Sequence, residues 1–114
     1  MITGMRELPV YPPGTIVQVK LSQSVTTNSW SAIGYRNPFS PWLDPTMTAE
    51  MIFLNDYHGI VLESVDVKNS MRMVSEAYKP LSHLLSYKVS IGGKPFWFRW
   101  IEVERIQEET ISTK

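Results

Sequence analysis

Residues 87–106, YKVSIGGKPFWFRWIEVERI, restrict the fold more than any other stretch of the chain. Gly92 and Gly93 stand between two runs rich in aromatic and β-branched residues, and adjacent glycines supply the positive φ that a primed two-residue turn requires. A hairpin closed there sets Leu85 opposite Trp100, Tyr87 opposite Phe98 and Val89 opposite Phe96. All six fall on one face, because side chains alternate with period two. A three-residue loop would flip one strand, so the agreement of both strands fixes the parity and assigns these rings to a core. The other face carries Ser86 opposite Arg99 and Lys88 opposite Trp97, a mixed surface on which Trp97 is expected to stack beneath a cation. Pro95 has no N–H to give and marks an edge or a bulge.

Other strands follow from the same alternation. TIVQVKL (15–21) sets Thr15, Val17, Val19 and Leu21 against Ile16, Gln18 and Lys20, after a PPG turn. GIVLESVDV (59–67) sets Ile60, Leu62 and Ser64 against Val61, Glu63 and Val65, and is expected as a central strand with Gly59 allowing a sharp start. IEVERI (101–106) is short enough for a last strand or a 3₁₀ turn that closes the sheet. Two stretches stay open. Asp44 and Pro45 signal a helix start, yet the run ends in MIFL, which suits extended chain. NSMRMVSEAY (69–78) reads as one or two turns of helix with Met71, Val74 and Tyr78 in a stripe, or as a strand using Met71 and Met73.

Five short antiparallel strands with a long first loop and a tight late hairpin describe an all-β, SH3-like small barrel over residues 1–106, with 107–114 as a frayed polar tail. The order of elements also resembles small SH3-like proteins of tailed phages, in which a GIVLE strand, a YKV strand, a glycine turn, a Trp-bearing strand and a terminal VE-I sequence follow one another. Here these are residues 59–63, 87–89, 92–93, Trp97 or Trp100, and 103–106. The resemblance covers the second half of the chain. It implies an accessory or virion-associated structural protein, and it carries no site with it.

The first half departs from a minimal barrel. Residues 22–45 show no regular period and interleave Trp30, Tyr35, Phe39 and Trp42 with Pro38, Pro41 and Pro45. Loops of this length inside compact domains are functional or disordered, and the aromatics argue against disorder. The rings either fold back as a lid on the core or are held out for a partner. In the second case Trp30, Tyr35, Arg36, Phe39 and Trp42 form a partner-binding set.

Chemistry is sparse. Eleven basic and eleven acidic side chains cancel and are scattered, so no single-sign field recruits duplex DNA or an anionic bilayer. A nucleic-acid face, the alternative expectation, would use Lys88, Lys94, Trp97 and Arg99 on the outside of the hairpin. The absence of cysteine removes disulfides, thiolate nucleophiles and thiolate zinc sites. His58 and His83 lack metal-ligand spacing; His58 is expected to cap a turn before Gly59, and His83 to pack where a strand begins. Glu102 and Glu104 read as one solvated face neutralised by Arg105. No Walker loop, nucleophile elbow or dinucleotide fingerprint occurs. No enzyme activity, cofactor or metal is expected, and the partners expected are proteins, including assembly components or further copies of the chain. The sequence shows no leader and no apolar run of membrane-spanning length, so a cytoplasmic or virion location is expected.

Overall fold

The structure, a computed structural model, describes residues 10–23, 29–44 and 51–106. They form eight antiparallel strands: β1 (Ile16–Val19), β2 (Ser22–Gln23), β3 (Trp30–Gly34), β4 (Ile52–Leu54), β5 (His58–Asp66), β6 (Leu85–Ile91), β7 (Lys94–Arg99) and β8 (Val103–Arg105). The fold is all-β. A five-stranded sheet runs β7-β6-β5-β1-β8, and a second sheet of three strands runs β2-β3-β4. The larger sheet, with a 3₁₀ turn at Trp100–Glu102 before its last strand, has the order expected of an SH3-like small barrel, although the barrel is not closed. Among the described residues no helix is long and apolar enough to cross a membrane.

The β6–β7 hairpin has the register that its glycines dictate. Tyr87 pairs with Phe98, Val89 with Phe96, Lys88 with Trp97 and Ser86 with Arg99, and Gly92 and Gly93 take φ of 63° and 84°. Leu85, Tyr87, Val89, Ile91 and Phe98 are buried with Val17, Val19, Val61 and Val103 in the main core, with Phe96 and Trp100 packed at its margin. Tyr11 stacks on Tyr87 at 5.5 Å between ring centroids, and its N–H donates to the Tyr87 hydroxyl.

β5 is the central strand, and it serves two neighbours. Its start pairs with β1, through Ile16 and Ile60, and the rest pairs with β6. A bulge at Leu62 separates Val61, opposite Val89, from Glu63, opposite Lys88. Strict alternation therefore fails there. Val61 points into the core and Ser64 faces Tyr87, whereas Ile60, Leu62 and Val65 are exposed. The extra residue bends the strand so that it can contribute to both halves of a curved sheet. Gly59 is required where β5 meets β6, since a Cβ there would stand 2.3 Å from the Ser90 carbonyl oxygen.

The irregular front half is more ordered than its sequence suggests. Part of it is strand: β2, β3 and β4 form the second sheet, with Ala32 opposite Leu54 and Ile33 opposite Phe53. The MIFL run is extended, as β4, while the helix signal at Asp44 leads into residues 45–50, outside the described residues, as are 1–9 and 107–114. The 69–78 stretch is not a strand, and what helix it has is in single 3₁₀ turns. It winds through 3₁₀ turns at Lys68–Ser70 and Glu76–Tyr78, yet Met71, Val74 and Tyr78 do share one apolar role, packing with Leu81 and Trp100 around buried Trp42, Val67 and Leu84.

This second cluster holds a strap, residues 37–42, across the outer side of β6 and β7. The Asn37 carboxamide oxygen accepts the N–H groups of Phe39 and Ser40, each at 2.9 Å, and starts the 3₁₀ turn Ser40–Trp42. The Trp42 ring is 0% exposed, meets Tyr78 edge-on at 5.1 Å, and donates its indole N–H to the Ser86 hydroxyl at 2.9 Å. Ser86 in turn donates to the Pro38 carbonyl at 2.7 Å. A buried serine in a hydrophobic strand is thus satisfied twice by the strap. Replacing Trp42 with Ala should lower unfolding free energy by about 3–5 kcal/mol, as removal of a fully buried indole does. Denaturant unfolding would measure it, and Trp42→Phe should cost distinctly less. Gly59→Ala should also destabilise the fold clearly, because the clash is with backbone.

Candidate functional site

The residues named from sequence as a partner-binding set separate in space. Tyr35 and Trp42 are buried, so both leave the set: they belong to the lid rather than to a surface. Tyr35 exchanges both backbone hydrogen bonds with Trp97, at 3.0 and 2.8 Å, which ties the end of β3 to the outer edge of β7. Trp30, Arg36 and Phe39 remain exposed. Trp30 opens β3, and Phe39 lies beyond the other end of that strand, on the strap.

The nucleic-acid face does not assemble either. Trp97 is only 8% exposed, because the chain around Tyr35 covers the hairpin's outer side; Lys88 does reach over its ring, at 5.9 Å. Arg99 is committed to structure. Its Nε and Nη2 donate to the Glu102 carboxylate at 2.9 and 2.5 Å, Nη1 donates to the Pro41 carbonyl, and the guanidinium lies against the rings of Tyr78 and Tyr35 at 5.2 and 5.9 Å. Burial, the largest single effect, would lower the Arg99 pKa, but the Glu102 charge and hydrogen bonds, with Tyr78 and Tyr35 adding to them, together outweigh it and hold the group above its usual value. Glu102 is therefore the partner of Arg99, not of Arg105, and it lies in the 3₁₀ turn. Glu104 alone keeps the solvated strand position, near Gln18. Lys94 is exposed beside Arg36, Ile52, Pro95 and Phe96, around an open depression of about 520 Å³.

The histidines lie apart. His58 begins β5, and the turn before it is capped by Asp56, whose carboxylate accepts the N–H groups of Tyr57 and His58 at 2.7 and 3.3 Å. His83 is exposed near the other end of β5, with Nδ1 3.1 Å from the Asp66 carboxylate. A nine-residue strand puts the two on the order of 25 Å apart. Among the described residues no group of three potential ligands converges on a metal position.

What the structure adds is the character of the second sheet. Its barrel-facing side carries Ala32 and Gly34, packed so closely on β7 that a Cβ on Gly34 would sit 2.9 Å from Phe96 Cβ. Its outward side pairs Ile33 with Phe53, which is 57% exposed, and Met51 stands exposed just before β4. Trp30, 60% exposed, lies by alternation on the same side of β3 as Ala32 and Gly34, opposite the side of Ile33 and Phe53. The sequence around them has no Asp, Glu, Lys, Arg or His at any position of 21–35 or 51–55, in a chain where 19% of residues are charged. Large exposed apolar side chains on a charge-free sheet match the core of a protein interface, which is depleted in charge and enriched in Trp, Phe and Met. Phe53 and Met51 were missed because MIFL was read only for its conformation. The signal that would have found them, the joint absence of charge from two separated stretches, is legible in the sequence.

Comparison with protein-family models, with curated proteins and with solved structures gives no match for this chain.

Asp66 organises the neck of the 67–84 loop. Its carboxylate accepts the N–H groups of Lys68 and Leu84, at 3.0 and 3.2 Å, besides facing His83. Burial raises its pKa, but these hydrogen bonds and the His83 charge outweigh it and hold the carboxyl below its usual value. The ionised form is thus favoured by folding. Its contribution is fully present above the unfolded value of 3.8 and is lost as pH falls through the lower folded value. Urea midpoints measured from pH 6 downward, on a scale of about one unit per step, should fall more steeply below about pH 4 in the native chain than in Asp66→Asn. Equal slopes would mean that Asp66 does not couple protonation to the loop.

Proposed function

We propose that this chain is a non-enzymatic protein-interaction or assembly module of the small SH3-like type, an accessory or virion-associated structural protein of the kind found in tailed phages. The observation that carries the reading is the charge-free second sheet, on which Trp30, Phe53 and Met51 are all exposed. Its binding residues are Phe53 and Met51 on the outward face and Trp30 on the other face at the start of β3, with Phe39 and Arg36 at the strap side. The mechanism is burial of these side chains in a partner's groove, where a central aromatic anchor is worth roughly 2 kcal/mol or more. The phage assignment rests on the order of strand motifs in the second half of the chain.

An uncharged apolar surface gives no attraction for phosphate backbones, so affinity for single-stranded RNA should be negligible even at low salt. The reading is tested by co-purification from the native host with tagged wild-type chain and with Trp30→Ala/Phe53→Ser. The expected result is that the proteins retained by the wild type are lost by about thirtyfold or more in the double variant, while the melting temperature stays within a few degrees. Retention of the same proteins by both chains would count against this surface.

A further inference from the structure

Four strands stand at sheet edges, β7 and β8 in the larger sheet and β2 and β4 in the smaller, and they are not equivalent; β2 is only two residues long. The outer edge of β7 is closed at its centre, where Trp97 gives both backbone groups to Tyr35, and Pro95 has no N–H to offer. β8 is three residues long and presents Glu104 and Arg105, the charged pattern that blunts an edge. β4 differs from both. It pairs with β3 on one side, carries Ile52, Phe53 and Leu54, and has no charge from Met51 to Asn55; among the described residues its other side is unpaired.

We infer that β4 pairs with β4 of a second copy, antiparallel about a twofold axis at Phe53, so that two three-stranded sheets join into one six-stranded sheet. The inference rests on the assembly reading above and names its partner. Two arguments select a second copy over a different protein. The first is electrostatic: a charged partner would have its ionic groups desolvated against a stretch that offers none in return, whereas two copies paired over 51–55 oppose no charge within the paired stretch. The second is register. An antiparallel pair centred on Phe53 sets Phe53 opposite Phe53 on the outward face and Ile52 opposite Leu54 on the inward face, so each side chain meets another of its own kind in size and polarity. The apolar face formed by Ile33 and Phe53 then continues across the junction, and the contact closes as a dimer instead of propagating as a fibre.

The test uses the full chain at high micromolar concentration, with mass read by light scattering. The wild type is expected to be a dimer. Phe53→Lys and Phe53→Glu, each alone, are expected to be monomers, because like charges then stand directly opposite. An equimolar mixture of the two is expected to recover a one-to-one dimer, which a merely unfolded or nonspecifically weakened variant would not do. Amide hydrogen exchange of the wild type gives a second readout that needs no substitution: protection at residues 52–55 should rise with protein concentration. A monomeric wild type, a dimer that survives Phe53→Lys, or a mixture that stays monomeric would each overturn the self-pairing. The assembly reading would still be judged by its own co-purification experiment, in which Trp30 takes part.

Discussion

A guanidinium removed from water on the outer side of β7 organises half of this molecule. Arg99 is reached by the strap through the Pro41 carbonyl, by the 3₁₀ turn through Glu102, by the 67–84 loop through the Tyr78 ring, and by the end of β3 through Tyr35. None of these segments has a regular secondary structure long enough to hold itself. Each is fixed because a half-buried cation is held at once by its counter-ion, a carbonyl acceptor and two aromatic rings. Trp42 supplies the apolar complement. Its ring fills the space between the strap and the loop, and its N–H finds Ser86, the one buried polar side chain among the core residues. Cation and indole together convert the outer face of a hairpin into a second core.

That conversion explains which parts of the fold were legible. The β6–β7 register follows from two glycines and period-two alternation, both local, and β1 and the central place of β5 follow from the same logic. What the alternation does not contain is the other side of the sheet. Trp97, placed by parity on the outward face with Lys88, does lie there and does meet Lys88, yet it is buried, with its backbone bridged to Tyr35 from a distant part of the chain. Similarly, Trp42 and Ser86 are 44 positions apart, and nothing near either one announces the other. The bulge at Leu62 was hidden for a different reason: an extra residue leaves a strand's composition unchanged while it reverses every later side chain.

The candidate site was half legible for related reasons. An aromatic residue in an irregular stretch has the same composition whether it is a lid or an anchor, so Tyr35 and Trp42 could not be told from Trp30 and Phe39 by type. Neighbours decide it. Trp42 follows Pro41 into a 3₁₀ turn nucleated by Asn37, which aims its ring inward, whereas Trp30 begins a strand at a point the barrel does not reach. Charge separates the two groups better than aromatic content does. Arg36 and Lys94 mark the rim, while the sheet that carries Trp30 and Phe53 has none.

The distribution of charge also says why an exposed apolar sheet is tolerable in a chain with no net charge. Colloidal repulsion between copies is weak here, so an uncovered apolar face and an open strand edge would ordinarily drive open-ended association. The remaining edges are blunted by Pro95 and the Tyr35 bridge on β7, by the charged ends of β8 and by the two-residue length of β2, which leaves β4 on each copy. A single self-complementary edge saturates after one pairing. Growth then stops at two chains, and the same feature that would be a liability on an unprotected sheet becomes a defined contact.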